Sequence, residues 1–165
     1  MKKDFSIRVY KQYFNFSSSH FLIFENGERE PLHGHNYRVQ IKGNAPLQTS
    51  DMVFDFLDIK PIVREVCDSL DHRLLLPGEN PSLKIEQSEK QILCLTPDNS
   101  QFIFPIQDVI ILPISNTSSE RLAIYISYEI RKKVKERFSF TFPKLEVEVE
   151  ETPGQSAVFV LEEND

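Results

Sequence analysis

EPLHGHNYRVQIKG, residues 30–43, passes from a loop-like composition into strict alternation. Tyr37, Val39 and Ile41 alternate with Arg38, Gln40 and Lys42 as far as Gly43, the pattern of a strand with one face buried. His33 and His35 share the parity of Tyr37. The same period recurs on either side of this segment. In FSIRVYKQYFNFSSS, residues 5–19, Phe14 and Phe16 share a face that continues through Ser18 to His20, and the segment reads as a first strand. KLEVEVE (144–150) and SAVFVL (156–161) give two more strands near the end of the chain.

Helical spacing separates the two pairs. Ile59, Ile62, Val63, Val66 and Leu70 predict a first helix, with Asp58 as its cap and Pro61 acceptable only in a first turn. A second helix is predicted from TSSE, where Thr117 and Glu120 have capping-box spacing, through Leu122, Ile126, Ile130 and Val134 to the cationic end RKKVKERF. Between the helices, QILCLT and QFIF flank PDNS as a hairpin. The final EEND has the composition of a disordered tail. Two strands, helix, hairpin, helix and two strands predict an α+β fold, an antiparallel sheet with its helices on one face.

Composition limits what such a fold does. At 165 residues and 40% apolar side chains, with neither repeats nor a second compositional block, the expectation is one domain, residues 1–165, with a single core. Neither a signal-like start nor a bilayer-length apolar run is present, so the expectation is a cytoplasmic chain with no membrane partner. Cys67 and Cys94 are too few for a disulfide framework and read as small buried hydrophobes. A net charge of −6 argues against a nucleic-acid surface while leaving room for a small anionic substrate held by local cations.

The histidines can now be placed. Residues i and i+2 of a strand project the same way, roughly 6–7 Å apart, so His33 and His35 form a two-ligand arm for one metal ion. If the first two strands pair, His20 comes beside them. Three neutral imidazoles with an open fourth position are the arrangement of a catalytic zinc. The bland alternative is a loop with two solvated histidines. His72 follows Asp71 after the first helix, where the carboxylate would orient the imidazole for proton transfer, although both types are ordinary at helix ends. Glu151 falls on the parity of Val147 and Val149; either it is a carboxylate on an apolar face, or the strand has already ended at Glu150.

FSSSHF, LHGHNYRVQI, DMVFDFLDIKPIV, LDHRLLL, NTSSERLA and VEVEETPGQSA, in this order, resemble the 6-pyruvoyl-tetrahydropterin synthase and 6-carboxy-tetrahydropterin synthase family over nearly the whole chain. The resemblance implies a tunnelling fold, with two antiparallel helices on a four-stranded antiparallel sheet. It also implies trimers or hexamers with sites between subunits. His20, His33 and His35 would bind Zn2+, Asp71 and His72 would form a proton relay, and Glu151 would grip the amidine face of a pterin. Ser118 and Ser119 fall where the family's substrate-contacting hydroxyls stand.

Two departures matter. Arg29 stands at the position, four residues before the first histidine of HGH, where the bacterial form carries a catalytic cysteine. Glu30 stands three residues before it instead, which resembles the branch where glutamate replaces cysteine and 7,8-dihydroneopterin triphosphate is cleaved to 6-hydroxymethyl-7,8-dihydropterin for folate synthesis. Segment 77–113 is also longer than in the short bacterial members. The expected activity is therefore that of a zinc-dependent lyase with Glu30 as base. The alternatives are the 6-carboxy product of the queuosine branch, the 6-pyruvoyl product, a catalytically inactive zinc and pterin binder, and a purely structural oligomer.

Overall fold

The computed structural model describes residues 4–165. The expected first strand is broken in two, β1 (Asp4–Val9) and β2 (Asn15–His20). Both lie along one side of the long strand β3 (His33–Pro46), β2 against its first half and β1 against its second. The break has a steric cause. Ile7 and Val9 face inward at odd positions and Phe14 and Phe16 at even ones, so the exposed residues 10–13 bulge outward and exchange the parity before pairing resumes.

The first helix, α1 (Phe56–Leu70), buries Ile59, Ile62, Val63, Val66 and Leu70 as the spacing predicts, and also Cys67. Its cap is Asp55, which accepts the Leu57 N–H at 2.7 Å, and not Asp58, which lies in the first turn. Pro61 is the sixth residue of α1, beyond the first turn. The carbonyl it leaves without its helical partner is that of Leu57, a residue 72% exposed, so the missing bond falls on the solvent side of the helix. The second helix, α2 (Ser119–Phe138), is capped by Ser118, whose hydroxyl accepts the Arg121 N–H, and not by Thr117. α2 packs on β9 (Lys144–Thr152) and β10 (Gln155–Glu162), while α1 packs on β2 and α2.

Between the helices the chain builds more than the expected hairpin. β4 (Arg73–Pro77) and β8 (Val109–Leu112) extend the main sheet, and β5 (Lys84–Gln87), β6 (Gln91–Leu95) and β7 (Gln101–Pro105) form a second, three-stranded antiparallel sheet. The β6–β7 pair is the expected hairpin, turning at residues 96–100 with Asn99 in the left-handed region. The main sheet runs β10-β9-β3-β2-β4-β8 with β1 also on β3. It is mixed rather than antiparallel, because β4 runs parallel to both β2 and β8. The fold is α+β with two helices.

Phe14, Phe16, Tyr37, Val39, Ile41, Val147 and Val149 meet the buried sides of both helices in the main core. A smaller cluster of Phe21, Ile23, Leu74, Leu76, Ile92, Cys94 and Val109 ties the second sheet to the residues that follow β2. The terminal EEND is not free: the Arg131 guanidinium donates to the carbonyls of Glu162 and Asp165. No helix among the described residues is long and apolar enough to cross a membrane.

Candidate active site

β3 begins at His33, so both histidines of HGH lie on a strand and not in a loop. Pairing sets His20 opposite His33 and Ser18 opposite His35, which puts three imidazoles on the core face at the open end of the sheet. Ring centroids are 4.8 Å apart for His20 and His33, 5.2 Å for His20 and His35, and 4.7 Å for His33 and His35. Gly34 allows this close pairing: a Cβ there would lie 3.1 Å from the Ser18 carbonyl oxygen.

β9 continues through Thr152, so Glu151 keeps the core-face parity and its carboxylate reaches the histidines. Its Oε1 lies 2.6 Å from His35 Nε2 and 3.8 Å from His20 Nε2. One ligand atom from each of His20, His33, His35 and Glu151 falls within 4.8 Å of the others. This places Glu151 inside the set of possible metal donors, closer than its parity alone implied.

The donor set fits a metal ion. His20 Nδ1 lies 3.0 Å from the Thr117 carbonyl and His33 Nδ1 lies 2.7 Å from the Pro31 carbonyl, so each ring donates from Nδ1 and turns the Nε2 lone pair toward the cluster. His35 Nε2 is buried with Glu151 Oε1 at 2.6 Å, a close contact that is not a well-formed hydrogen bond. A buried nitrogen in that state needs a partner. Burial lowers the pKa of His20 below the usual imidazole range, which favours the neutral form that coordinates.

Thr117 and Tyr37 complete the surroundings, and neither was marked by sequence reasoning as part of the site. Thr117 looked like a helix cap; it is fully buried, and its hydroxyl donates to the Phe21 carbonyl and lies 3.2 Å from His20 Nδ1. Tyr37 places its hydroxyl 3.2 Å from His20 Nε2, and burial raises its pKa, keeping the proton on. Its parity with His33 and His35 was the available signal.

The remaining candidates divide. Glu30 is held by a short irregular hairpin: its N–H donates to the Leu22 carbonyl and its Oε2 accepts the Leu22 N–H at 3.2 Å. From there Oε2 lies 3.9 Å from His33 Nε2. Arg29, adjacent on an extended segment, faces the opposite way, toward Asp98 and Phe102 of the inserted sheet. Ser119 donates to Glu151 Oε2 at 3.3 Å, whereas the Ser118 hydroxyl is used as the α2 cap.

Asp71 caps the end of α1, and its Oδ1 accepts the Ser17 N–H at 2.7 Å while Oδ2 pairs with His72 Nδ1 at 2.8 Å. Burial pushes the Asp71 carboxyl upward, but the bonds from Ser17 and His72 outweigh it and leave the pKa below the usual range. His72 adopts a left-handed backbone (φ 55°) pinned by its N–H to the Ser17 carbonyl, and its ring is 84% exposed. His72 and His35 line one groove of about 560 Å³ together with Ser17, Asn36 and Phe104. Neither cysteine can substitute for the missing thiol, because burial pushes Cys67 and Cys94 up to about 12 and about 11.

A family model described as 6-pyruvoyl tetrahydropterin synthase matches residues 8–162. A relative from Methanocaldococcus jannaschii, provisionally named a 6-carboxy-5,6,7,8-tetrahydropterin synthase, is 37% identical over 146 residues, which is 87% of this chain and 88% of the relative. The crystal structure of 6-pyruvoyl tetrahydropterin synthase from Plasmodium vivax superposes with a TM-score of 0.90 at 32% identity, covering 97% of this chain and 99% of that one. Two variants of the same Plasmodium vivax protein, in which a glutamate termed a catalytic residue is replaced by alanine or cysteine, superpose with TM-scores of 0.90 at 31% identity, with the same coverage. With a family match over almost the whole chain and relatives aligned end to end, the chain belongs to the 6-pyruvoyl tetrahydropterin synthase family.

Proposed function

We propose that this chain is a zinc-dependent lyase that cleaves the side chain of 7,8-dihydroneopterin triphosphate and releases 6-hydroxymethyl-7,8-dihydropterin. The observation that carries the reading is the divergence of neighbours: Glu30 faces His33 while Arg29, at the expected cysteine position, faces away. The catalytic glutamate named in the Plasmodium vivax structures supports a carboxylate in that role.

His20, His33 and His35 would hold the zinc through Nε2, and the bound metal would supply a Lewis acid for the side-chain hydroxyls. Glu30 accepts the proton of the hydroxyl on the distal carbon of the scissile bond. The carbon–carbon bond then breaks in a retro-aldol sense: that oxygen becomes the carbonyl of a two-carbon aldehyde that leaves with the triphosphate, the bond's electrons pass toward the pterin ring, and the carbon left on the ring must gain a proton. His72, which lines the same groove as His35, and Asp71, paired with it behind, relay that proton. Glu151 takes the amidine edge of the pterin by two charge-assisted hydrogen bonds, with Ser119 steadying the carboxylate and Ser118 fixing the start of α2 beneath it. The working form is a homo-oligomer, trimer or hexamer, with sites between subunits; exposed Val158 and Val160 on the edge strand β10 supply apolar surface for it.

The name of the Methanocaldococcus jannaschii relative favours a second reading, 6-carboxy-5,6,7,8-tetrahydropterin synthesis. Chromatography of the products formed from 7,8-dihydroneopterin triphosphate separates the two. In the same assay Glu30→Ala should keep its zinc and lose turnover by about 10²–10⁴, the range for a lost general base. Release of the 6-carboxy product alone, or wild-type turnover in Glu30→Ala, would overturn the folate-branch reading.

A further inference from the structure

We propose that Arg29 is a positioning residue for Glu30, and that the inserted three-stranded sheet holds the catalytic carboxylate in place through it. The proposal rests on reading Glu30 as the base. The first arm of the loop that carries Glu30 is fixed by Asn116, whose side chain bonds both the N–H and the carbonyl of Ile23; the second arm, with Arg29 and Glu30, has one bridge from Arg29 to Ile23, a few backbone hydrogen bonds within residues 22–30, and the Glu30 carboxylate on the Leu22 N–H. Arg29 ties this second arm to something firmer. Its Nη1 donates to the Glu30 carbonyl at 2.8 Å and its Nε donates to Asp98 Oδ2 at 3.2 Å. The guanidinium also lies over two aromatic rings, 5.0 Å from the centroid of Phe102 and 5.7 Å from that of Phe21.

Each anchor is itself fixed. Asp98 sits in the β6–β7 turn, where its other oxygen accepts the Thr96 hydroxyl and the Ser100 N–H. Phe21 and Phe102 stack at 5.4 Å, and Phe21 follows His20 directly in the chain. One guanidinium therefore joins the inserted turn, the exit of the strand bearing His20, and the backbone of Glu30. Only a planar fork serves all three at once; an ammonium cannot stack and donate in two directions. The carbonyl it holds belongs to Glu30 itself, so a shift there moves a carboxylate that must stay within reach of His33 and a substrate hydroxyl.

Arg29→Met keeps an apolar stem over the rings and removes both donors; Asp98→Asn removes only the charge that orients the guanidinium. In steady-state kinetics of the zinc-loaded enzyme with 7,8-dihydroneopterin triphosphate, Arg29→Met should lower kcat about 10-fold with KM within about 2-fold, since misplacement by an ångström costs that much or more. Asp98→Asn should show a smaller loss of the same kind. In the Glu30→Ala background, Arg29→Met should cause no further loss, because its effect passes through the carboxylate. Unchanged kcat in Arg29→Met, or a loss that adds in full to that of Glu30→Ala, overturns the proposal. Hydrogen exchange of the peptide spanning residues 21–31 gives a readout independent of catalysis, and Arg29→Met should exchange there about 10-fold faster than wild type. If Glu30→Ala turns over normally, the reading of Glu30 as base fails on its own account. The exchange result then decides the clamp, and wild-type protection in Arg29→Met rejects it.

Discussion

Glu151 meets two kinds of neighbour: the Ser119 hydroxyl on one oxygen and the nitrogens of His35 and His20 on the other. A metal donor and a pterin anchor respond differently to loss of charge. Glu151→Gln keeps the shape but puts a donor where the pterin also donates, so pterin affinity should fall by about 2–4 kcal/mol while zinc content stays at one per chain. Calorimetry with a pterin and metal analysis of the same sample check both; lost zinc would make Glu151 a ligand, and unchanged affinity would remove it from pterin recognition. His33→Ala should instead lose most of the zinc, since two imidazoles make a poor site. Strand parity, being local, set His33 and His35 on one face of the sequence pattern and His20 beside them on condition that the first two strands pair; it left Glu151 undecided, because whether the last strand ends at Glu150 or continues through Thr152 depends on its pairing partners. It was silent on Thr117, whose partner His20 lies 97 residues away, and on the opposed directions of Arg29 and Glu30, which depend on a bridge inside an irregular loop.

Among the elements, β3 is the one whose neighbours leave least room. A Cβ on Gly43 would meet the Phe142 ring at 2.6 Å, and Phe142 is buried in the main core. Gly43→Ala should therefore destabilise by about 1–3 kcal/mol, the range for overpacking a core, read from the denaturant midpoint at constant m-value. The β6–β7 turn carries a pH signature. Hydrogen bonds from the Thr96 hydroxyl and the Ser100 N–H hold the Asp98 carboxyl down to about 2, against an ordinary value of 3.8. A carboxyl lowered by folding adds stability above its unfolded pKa and loses it as the pH falls through its folded one. The melting-temperature gap between wild type and Asp98→Asn should hold from neutral pH to about 4 and close toward about 2; a gap constant across that window would show that folding does not lower the Asp98 carboxyl. The break between β1 and β2 is written in the sequence as a switch from odd apolar positions (Phe5, Ile7, Val9) to even ones (Phe14, Phe16), which the reading of residues 5–19 as one strand passes over. Parallel pairing of β4 with β8 was not legible, because four apolar residues in a row fit a buried strand or a stretch of helix equally well.

The described residues form two apolar clusters of unequal size, and each contains one cysteine. Cys67 lies under α1 in the main core with Phe14, Ile62 and Leu122; Cys94 lies in β6 within the smaller cluster that joins the inserted sheet to Phe21 and Ile23. Both thiols are fully buried and held protonated, so a thiol reagent reaches either one only when its surroundings open. The energy needed to open a region rises with the apolar contacts it must give up, so the satellite cluster should open first. Under native conditions Cys94 is expected to react at least about 10-fold faster than Cys67, with Cys67→Ser and Cys94→Ser proteins assigning the two rates. Low denaturant should widen the gap before global unfolding closes it. Arg29 crosses between the inserted turn and the Glu30 loop, so Arg29→Met should speed Cys94 labelling and leave Cys67 unchanged. Equal rates for the two thiols in the wild type would mean that the insertion and the helical core open as one unit. Glu30 would then be held by the stability of the entire fold, and the single guanidinium would matter little to its placement.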